Sequence, residues 1–474
     1  MRNVVWYRTN DLRVSDHAPL REATRGGEVI PLFVLDPDEH AYGRASASGP
    51  QTQFLLNSLR DLEQSLVARG SRLVVVLGTS VEAVPRLARE WSADRVFAHR
   101  SVEPRERDRE RRIHAELGHQ LELYPADTLL APGTLRTRSG KPYSVFGQFA
   151  RAFRAVGGIG RPLPPPKTVP PPGRDLRTGA TRIPTCAELG IEPNASVLPG
   201  GERAARARLG RFLRHGLADY ADRRDRLDLE GTSRLSADLK FGTLSVRQVW
   251  DAAEARLDRA AGAWAFLNEL LWREFTHSTL WDRPELAVQP FHRAFIGFPW
   301  KADEAAWTAW VNGTTGYPVV DASARQLLAE GFIHNRARMV SASFLTKHLL
   351  IDYRRGEAHY MKHLTDGDLA NNNAGWQWSA GTGCDAQPYF RVFNPVAQGN
   401  KFDPEGSYVR RWVPELGRLP ARYIHSPWKA PDAVLRGAGV RLGDTYPLPI
   451  VDHHWARGRF LAMASAYLGR GSRA

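Results

Sequence analysis

The chain contains only two cysteines in 474 residues, Cys186 and Cys384. That excludes a network of disulfides and a thiolate metal cluster, and it suits a reducing compartment. Long apolar runs are missing as well. No stretch approaches the roughly 18 apolar residues that a membrane span requires, and the opening MRNVVWYRTNDLR has too short an apolar run for a secretion signal. We therefore expect a cytoplasmic protein with no membrane association. Two familiar phosphate-binding loops are absent too. RTNDLRVSD stands where a GxGxxG would follow the first apolar run, and no GxxxxGK[ST] occurs.

Positive charge and tryptophan are in excess. The formal net charge is +14, with a sequence pI near 10.0. Such a balance favours a polyanionic partner, because phosphate contacts release counterions and steer association. The alternative is an arginine-rich surface with no such partner. The 14 tryptophans are harder to assign to bias, since indoles suit stacking on bases or cofactors as well as core packing.

Residues 1–130 alternate apolar runs with amphipathic segments. NVVWY, VIPLFVLD, RLVVVLG and DRVFAHR read as buried strands. Residues 50–69 and 80–91 carry helical spacing, the first closed by Gly70 and the second opened by Ser80. This alternation predicts a Rossmann-like parallel α/β domain with right-handed crossovers. Residues 131–201 form a linker, Pro- and Gly-rich from about 158, where GGIGRPLPPPKTVPPPGRD cannot continue a helix or central strand. From 202 to 474 the periodicity is helical, including 262–280, 321–350 and 404–412. The fold class is thus α/β followed by all-α.

Three segments carry candidate chemistry. In WAFLNELLWREFT, Trp264, Leu267, Leu271 and Phe275 fall on one stripe, expected to be core. Glu269, Trp272 and Thr276 share a separate arc with Arg273 at its edge, a candidate cavity wall or a second buried face. In FIHNRARMVSASFLTKHLL, Asn335, Arg338, Met339 and Ala342 share a face, and an arginine there needs a carboxylate partner. In EGTSRLSADLKFG, Thr232, Ser233, Ser236 and Thr243 with Arg234 make an anion nest or a helix-capping cluster.

Taken in order, EGTSRLS, NELLWREF, TGYPVVDA, HNRARM, DGDLANNNAGWQW, PYFRVFNP, QGNKFDPEG and PIVDHHWAR closely resemble the photolyase/cryptochrome family. The likeness is greatest to bacterial class I cyclobutane pyrimidine dimer (CPD) photolyases. It spans nearly the whole chain and is sparsest in the linker. It implies an α/β antenna domain, a helical FAD domain, and light-driven electron transfer from reduced FAD to a flipped-out dimer in UV-damaged DNA. The protein is then expected to act as a monomer.

By position, the resemblance assigns FAD to Tyr220, Thr232, Ser233, Arg234, Leu235, Ser236, Arg338, Asp366, Gly367, Asp368 and Asn372. Arg338 would pair with Asp366, and Asn372 would face flavin N5. Glu269, Trp272, Trp378, Asn335 and Met339 correspond to the lesion pocket, beside Thr276; Arg224, Arg273 and Gln398 correspond to DNA contacts. Trp376 and Trp300 match the inner and outer members of the electron relay, while Tyr353 stands at the middle, where a tryptophan is usual. Asn371 and Asn373 receive no role beyond shaping a turn.

Further departures are Ser46 and Ala287 where folate-binding members hold His and Cys, and YSVFGQF (143–149) where VFTPF is usual. A deazaflavin, FMN or folate antenna, or none, is left open. Two competing readings remain. One is a cryptochrome-like photoreceptor, opposed by the short segment after VDHHWAR. The other is a (6-4) photolyase, whose chemistry wants a pair of pocket histidines where HNRARM carries Asn and Arg; His334 keeps that reading open.

Overall fold

The computed structural model describes residues 1–40, 48–125, 128–173, 182–386 and 388–471. They form two compact units. The first is Met1–Ala221 with Ser233–Pro284 and Thr365–Ala370; the second is Asp222–Thr232 with Glu285–Leu364 and Asn371–Ala474.

The first unit is built on a parallel sheet of β1 (Arg2–Tyr7), β2 (Glu28–Leu35), β3 (Val74–Leu77), β4 (Arg95–His99) and β5 (Leu121–Tyr124). Its order is β3-β2-β1-β4-β5. β1 pairs with β2 from Arg2↔Glu28 to Tyr7↔Phe33, and with β4 from Asn3↔Arg95 to Val5↔Phe97. The strands read as unbroken apolar runs because both faces are covered. Val5, Tyr7 and Phe33 enter one core, and Val4, Trp6 and Leu32 the other.

Four of these strands follow the sequence reading; β5 is an addition. LELY is a four-residue edge strand in which only Leu121 is buried, too short to show a period. The helix Pro104–Leu117 was hidden for a related reason: of PRERDRERRIHAEL only Glu110, Ile113 and Leu117 are buried.

The strand order reverses between β1 and β4, and there the loop after β1 is tied to the sheet. Asp11 Oδ2 accepts from His99 Nδ1 at 2.8 Å and lies 3.2 Å from His17 Nε2, while Oδ1 accepts from the Arg8 N–H at 2.7 Å. His17 Nδ1 accepts from the Leu20 N–H at 3.0 Å, capping the helix Ala18–Ala23.

The Pro/Gly-rich connector is held to the sheet layer by main-chain bonds, Asp16 N–H to Leu163 O, Val29 N–H to Pro170 O and Val169 N–H to Arg69 O. The part of the linker before it carries a ten-residue helix, Phe146–Ala155. Trp264 departs from the expected core stripe. Leu267, Leu271 and Phe275 are at most 2% exposed, but Trp264 is 48% exposed, under the Arg154 guanidinium at 4.9 Å. It sits in the first turn of its helix, where a wheel cannot tell that the packing partners have ended.

The second unit is helical, apart from an isolated bridge between Leu442 and Tyr446. Its largest core gathers Trp310, Phe344, Leu345, Trp376, Tyr408 and Tyr446. The periodic segment 321–350 is two helices, Pro318–Glu330 and Asn335–Ser343, and a π-helical turn, Phe344–His348. Gly331 breaks the first helix at a left-handed φ of 62°, and His334 Nδ1 caps the second by accepting from the Arg336 N–H at 3.1 Å. One family-like motif is architectural here. Asp321 of TGYPVVDA accepts from Thr315 N–H and Oγ1 (2.7 and 2.6 Å), Gly316 N–H (3.1 Å) and Tyr446 Oη (2.6 Å).

Candidate functional site

In the first unit, the helix Ala263–Asp282 carries Glu269, Trp272, Arg273 and Thr276, all partly buried on the side away from Leu267 and Leu271. Trp272 lies face to face with Phe146, centroids 3.7 Å apart and planes 8° off parallel, and Phe275 meets its edge at 5.9 Å. The unusual YSVFGQF segment thus supplies a backing plate for Trp272, a role that residue spacing does not reveal. Arg273 lies 3.8 Å from Glu274, and Thr276 Oγ1 donates to the Arg273 carbonyl at 2.9 Å.

The EGTSRLS segment meets the helix Ser236–Lys240. Arg234 adopts a left-handed φ of 56°, and the Leu235 N–H turns to Ser233 Oγ at 3.4 Å. A left-handed residue inside such a segment makes successive N–H groups converge, the geometry of an anion nest. Thr243 does not belong to it: its buried hydroxyl donates to Asp238 Oδ1 at 3.0 Å. Tyr220 is buried edge-on to Phe212 and Phe266.

The turn Asp366–Gly367–Asp368 precedes the helix Leu369–Ala380. Asp368 lies 3.5 Å from His277 Nε2, and His277 Nδ1 faces the Arg273 carbonyl at 2.8 Å. Burial works to raise the Asp368 pKa, yet His277, Arg273 and Lys240 hold it well below the ordinary carboxylate range. His277 is a neighbour that the sequence reading did not single out.

In the second unit, Asn372 Nδ2 donates to the Glu357 carbonyl at 3.0 Å. Asn373 Nδ2 reaches Leu286 O at 2.9 Å and the Glu357 carboxylate at 3.1 and 3.2 Å. Gln377 continues the network through Asn373 Oδ1 at 3.0 Å and Gln289 O at 3.1 Å. Asn371 and Asn373 therefore lie within a helix and shape no turn; Asn373 is a buried bridge between elements. Burial pushes the Glu357 pKa up to about 7, against the lowering effect of the Asn373 amide. Nothing in RRGEAHY marks this glutamate as buried.

Trp376 is buried against Tyr360 at 4.9 Å, and a methyl group on Gly356 would overlap its ring. Trp300 is half-buried beside Phe298 at 4.5 Å. Tyr353 is 2% exposed. Among the other expected residues, Asn335 is exposed with its amide 3.8 Å from Met339 Sδ, and Arg338 Nε donates to Ile333 O at 2.8 Å. Arg224, Thr232, Trp378, Gln398 and Ala287 are partly buried in this unit, and Ser46 lies outside the described residues.

Residues 3–170 match the family profile described as DNA photolyase, and residues 266–466 the profile for the FAD binding domain of DNA photolyase. The deoxyribodipyrimidine photo-lyase of Agrobacterium fabrum is 39% identical, over 98% of this chain and 97% of its own. The chain belongs to the DNA photolyase family. Among solved photolyases, the bacterial class III enzyme of Agrobacterium tumefaciens is similar at a TM-score of 0.91 and 38% identity, covering 98% of this chain and 97% of that one. The cryptochrome of Synechocystis sp. PCC6803 follows at 0.90 and 30%, covering 98% and 99%.

The photolyase cofactor FAD fits the donor sets present. In the first unit, the nest at Arg234 and the hydroxyls of Ser233 and Ser236 offer the N–H and O–H donors that phosphates need. In the second, Asn372 has its NH₂ held by Glu357, so its carbonyl oxygen is the end left to accept an N–H.

Proposed function

We propose that this photolyase is a light-driven deoxyribodipyrimidine photo-lyase that repairs cyclobutane pyrimidine dimers in DNA. The observation that carries the reading is the placement of Glu269 and Trp272 one turn apart on one helix, with Trp272 stacked on Phe146. A carboxyl that hydrogen-bonds a dimer and an aromatic plate that stacks on it are what an extruded, poorly paired lesion requires. Full-length similarity to enzymes named for this reaction supports the same reading.

Bound reduced FAD supplies the photoexcited electron. It is held by Tyr220, Thr232, Ser233, Arg234, Leu235, Ser236, Arg338, Asp366, Gly367, Asp368 and Asn372. Glu269 hydrogen-bonds the dimer and steadies the negative charge it transiently carries. Trp272 and Trp378 stack on its apolar surface, and Asn335, Met339 and Thr276 contact it. Arg224, Arg273 and Gln398 contact the DNA backbone, where positive charge positions the strand without reading sequence. The protein contributes proximity and orientation, and the cofactor contributes the redox chemistry. Trp300, Tyr353 and Trp376 stand at the positions of the family's electron relay, which supplies electrons to the cofactor.

Residues 1–130 serve as the antenna domain, 131–201 as the linker and 202–474 as the catalytic domain of a cytoplasmic monomer. The antenna chromophore, if one is bound, is a deazaflavin, FMN or folate. A (6-4) reaction finds little support in His334: its Nδ1 is used as a helix cap, and burial lowers its pKa to about 4.

The test is to extract and identify the chromophores of the purified protein, then expose it to UV-damaged oligothymidine in blue light and in darkness. Recovery of intact thymine in the light alone is expected. Bound FAD without repair would sink the enzyme reading and favour a photoreceptor.

A further inference from the structure

The middle relay position, Tyr353, is poorly suited to pass an electron. Its hydroxyl is buried with no acceptor among the described residues, and the Arg354 guanidinium lies 5.8 Å over its ring. A phenol must shed its proton as it is oxidised, and here burial raises the pKa further. Among the described residues, no ring contact joins Tyr353 to Trp376 or Trp300.

A different row of rings leads away from Trp376. Trp310 meets it edge to face, centroids 6.0 Å apart and planes at 70°. Trp307 then stacks on Trp310 at 5.4 Å and 28°. Trp376 and Trp310 are each 2% exposed, whereas Trp307 is only partly buried. Three indoles in contact therefore run from a buried ring to one reached by water. Indoles, unlike phenols, can be oxidised without immediate proton loss. Trp376 has no acceptor for its indole N–H among the described residues, so a positive charge created there is passed on more readily than discharged. Trp310 Nε1 donates to the Ser341 carbonyl at 3.3 Å, a dipole that favours a transient positive charge. The outward hop from Trp310 to Trp307 moves that charge toward higher dielectric, which is downhill. The Arg355 guanidinium lies 4.4 Å over Trp307, but Glu304 holds it with two bonds of 2.7 and 2.9 Å and offsets its charge.

We propose that Trp310 and Trp307 form the working outward relay from Trp376, bypassing Tyr353. This inference rests on the photolyase reading above. After Trp376 has given one electron to the photoexcited cofactor, Trp310 returns one electron to Trp376, and Trp307 returns one to Trp310. Trp307 then releases its indole proton to water and is left a neutral radical. An external thiol restores it with one hydrogen atom, and two thiyl radicals couple to a disulfide. The net change is one electron from thiol to cofactor, with all three indoles regenerated.

The test uses the FAD-loaded full chain under blue light with dithiothreitol. It follows the rate of flavin reduction optically, and the identity of the tryptophan radical by pulsed EPR with ring-deuterated tryptophan. Trp307→Phe and Trp310→Phe are expected to slow reduction at least about tenfold and to abolish the long-lived radical signal, while Tyr353→Phe leaves both unchanged. Trp307 lies outside the buried core, so its variant decides the matter if Trp310→Phe fails to fold. Native rate and radical signal in Trp307→Phe would overturn the proposal. Unaltered protein reduced with dithionite is assayed separately for repair; failure there overturns the photolyase reading and leaves the relay result standing.

Discussion

Two buried carboxylates, one in each unit, are treated in opposite ways. Asp11 faces two imidazoles and a main-chain N–H; burial would raise its pKa, but the adjoining His17 and His99 rings hold it well below the usual range. Glu357 is offered an amide from Asn373, burial wins, and its pKa rises to about 7. Two facing imidazoles outweigh burial at Asp11, where a single amide does not at Glu357. The first arrangement fixes a charge permanently to lock a loop. The second leaves a proton close to balance, beside the asparagine assigned to the flavin.

The most damaging way to break this comparison is Asp11→Asn. An amide replaces the one charge that both imidazoles face, and a loss of about 3–5 kcal/mol is expected in urea unfolding. A loss below about 1 kcal/mol would mean the loop is held elsewhere.

The pH dependence sharpens the contrast. Glu357 has a folded pKa of about 7 against an ordinary value of 4.5, so over that window the folded state binds more protons than the unfolded one, and stability falls as pH rises. His17, lowered from 6.5 to about 4 by burial, leans the other way: the unfolded state takes up the proton first, and stability falls as pH drops through that window. Glu357→Gln is therefore expected to gain about 2–3 kcal/mol on native protein at pH 8 and little at pH 4.5. His17→Asn should lose less at pH 4 than at pH 7, by a similar amount. Urea midpoints at these pH values check both, and equal offsets at the two ends would refute the assignment.

The smallest change is Asn373→Ala, which strips Glu357 of its amide and leaves the Leu286 carbonyl unmet. A loss of about 1–2 kcal/mol is expected, larger at pH 8 than at pH 5 because the ionised carboxylate needs the donor more. The reverse pH order would show that Asn373 serves the carbonyl alone.

Much of the fold was legible because strands buried on both faces must be apolar throughout, so β1 to β4 stand out in the sequence. LELY and the arginine-rich helix Pro104–Leu117 were not legible, because each buries too few residues to imprint a period. At the site, Glu269, Trp272 and Asn372 could be found through motifs that keep residue type and spacing together. Phe146, Glu357 and His277 could not. Their importance lies in what faces them across the fold, and spacing along the chain carries no trace of that. Trp264 failed for the opposite reason: the wheel places it correctly, but nothing stands opposite to bury it.

Gly356 has a consequence for engineering. Replacing a glycine inside a helix with alanine ordinarily stabilises by about 1 kcal/mol, because alanine has less backbone freedom to lose. At Gly356 the indole of Trp376 occupies the space that the new methyl would need. The usual gain turns into a penalty, and a consensus-minded stabilisation of this helix would displace the ring that begins the relay.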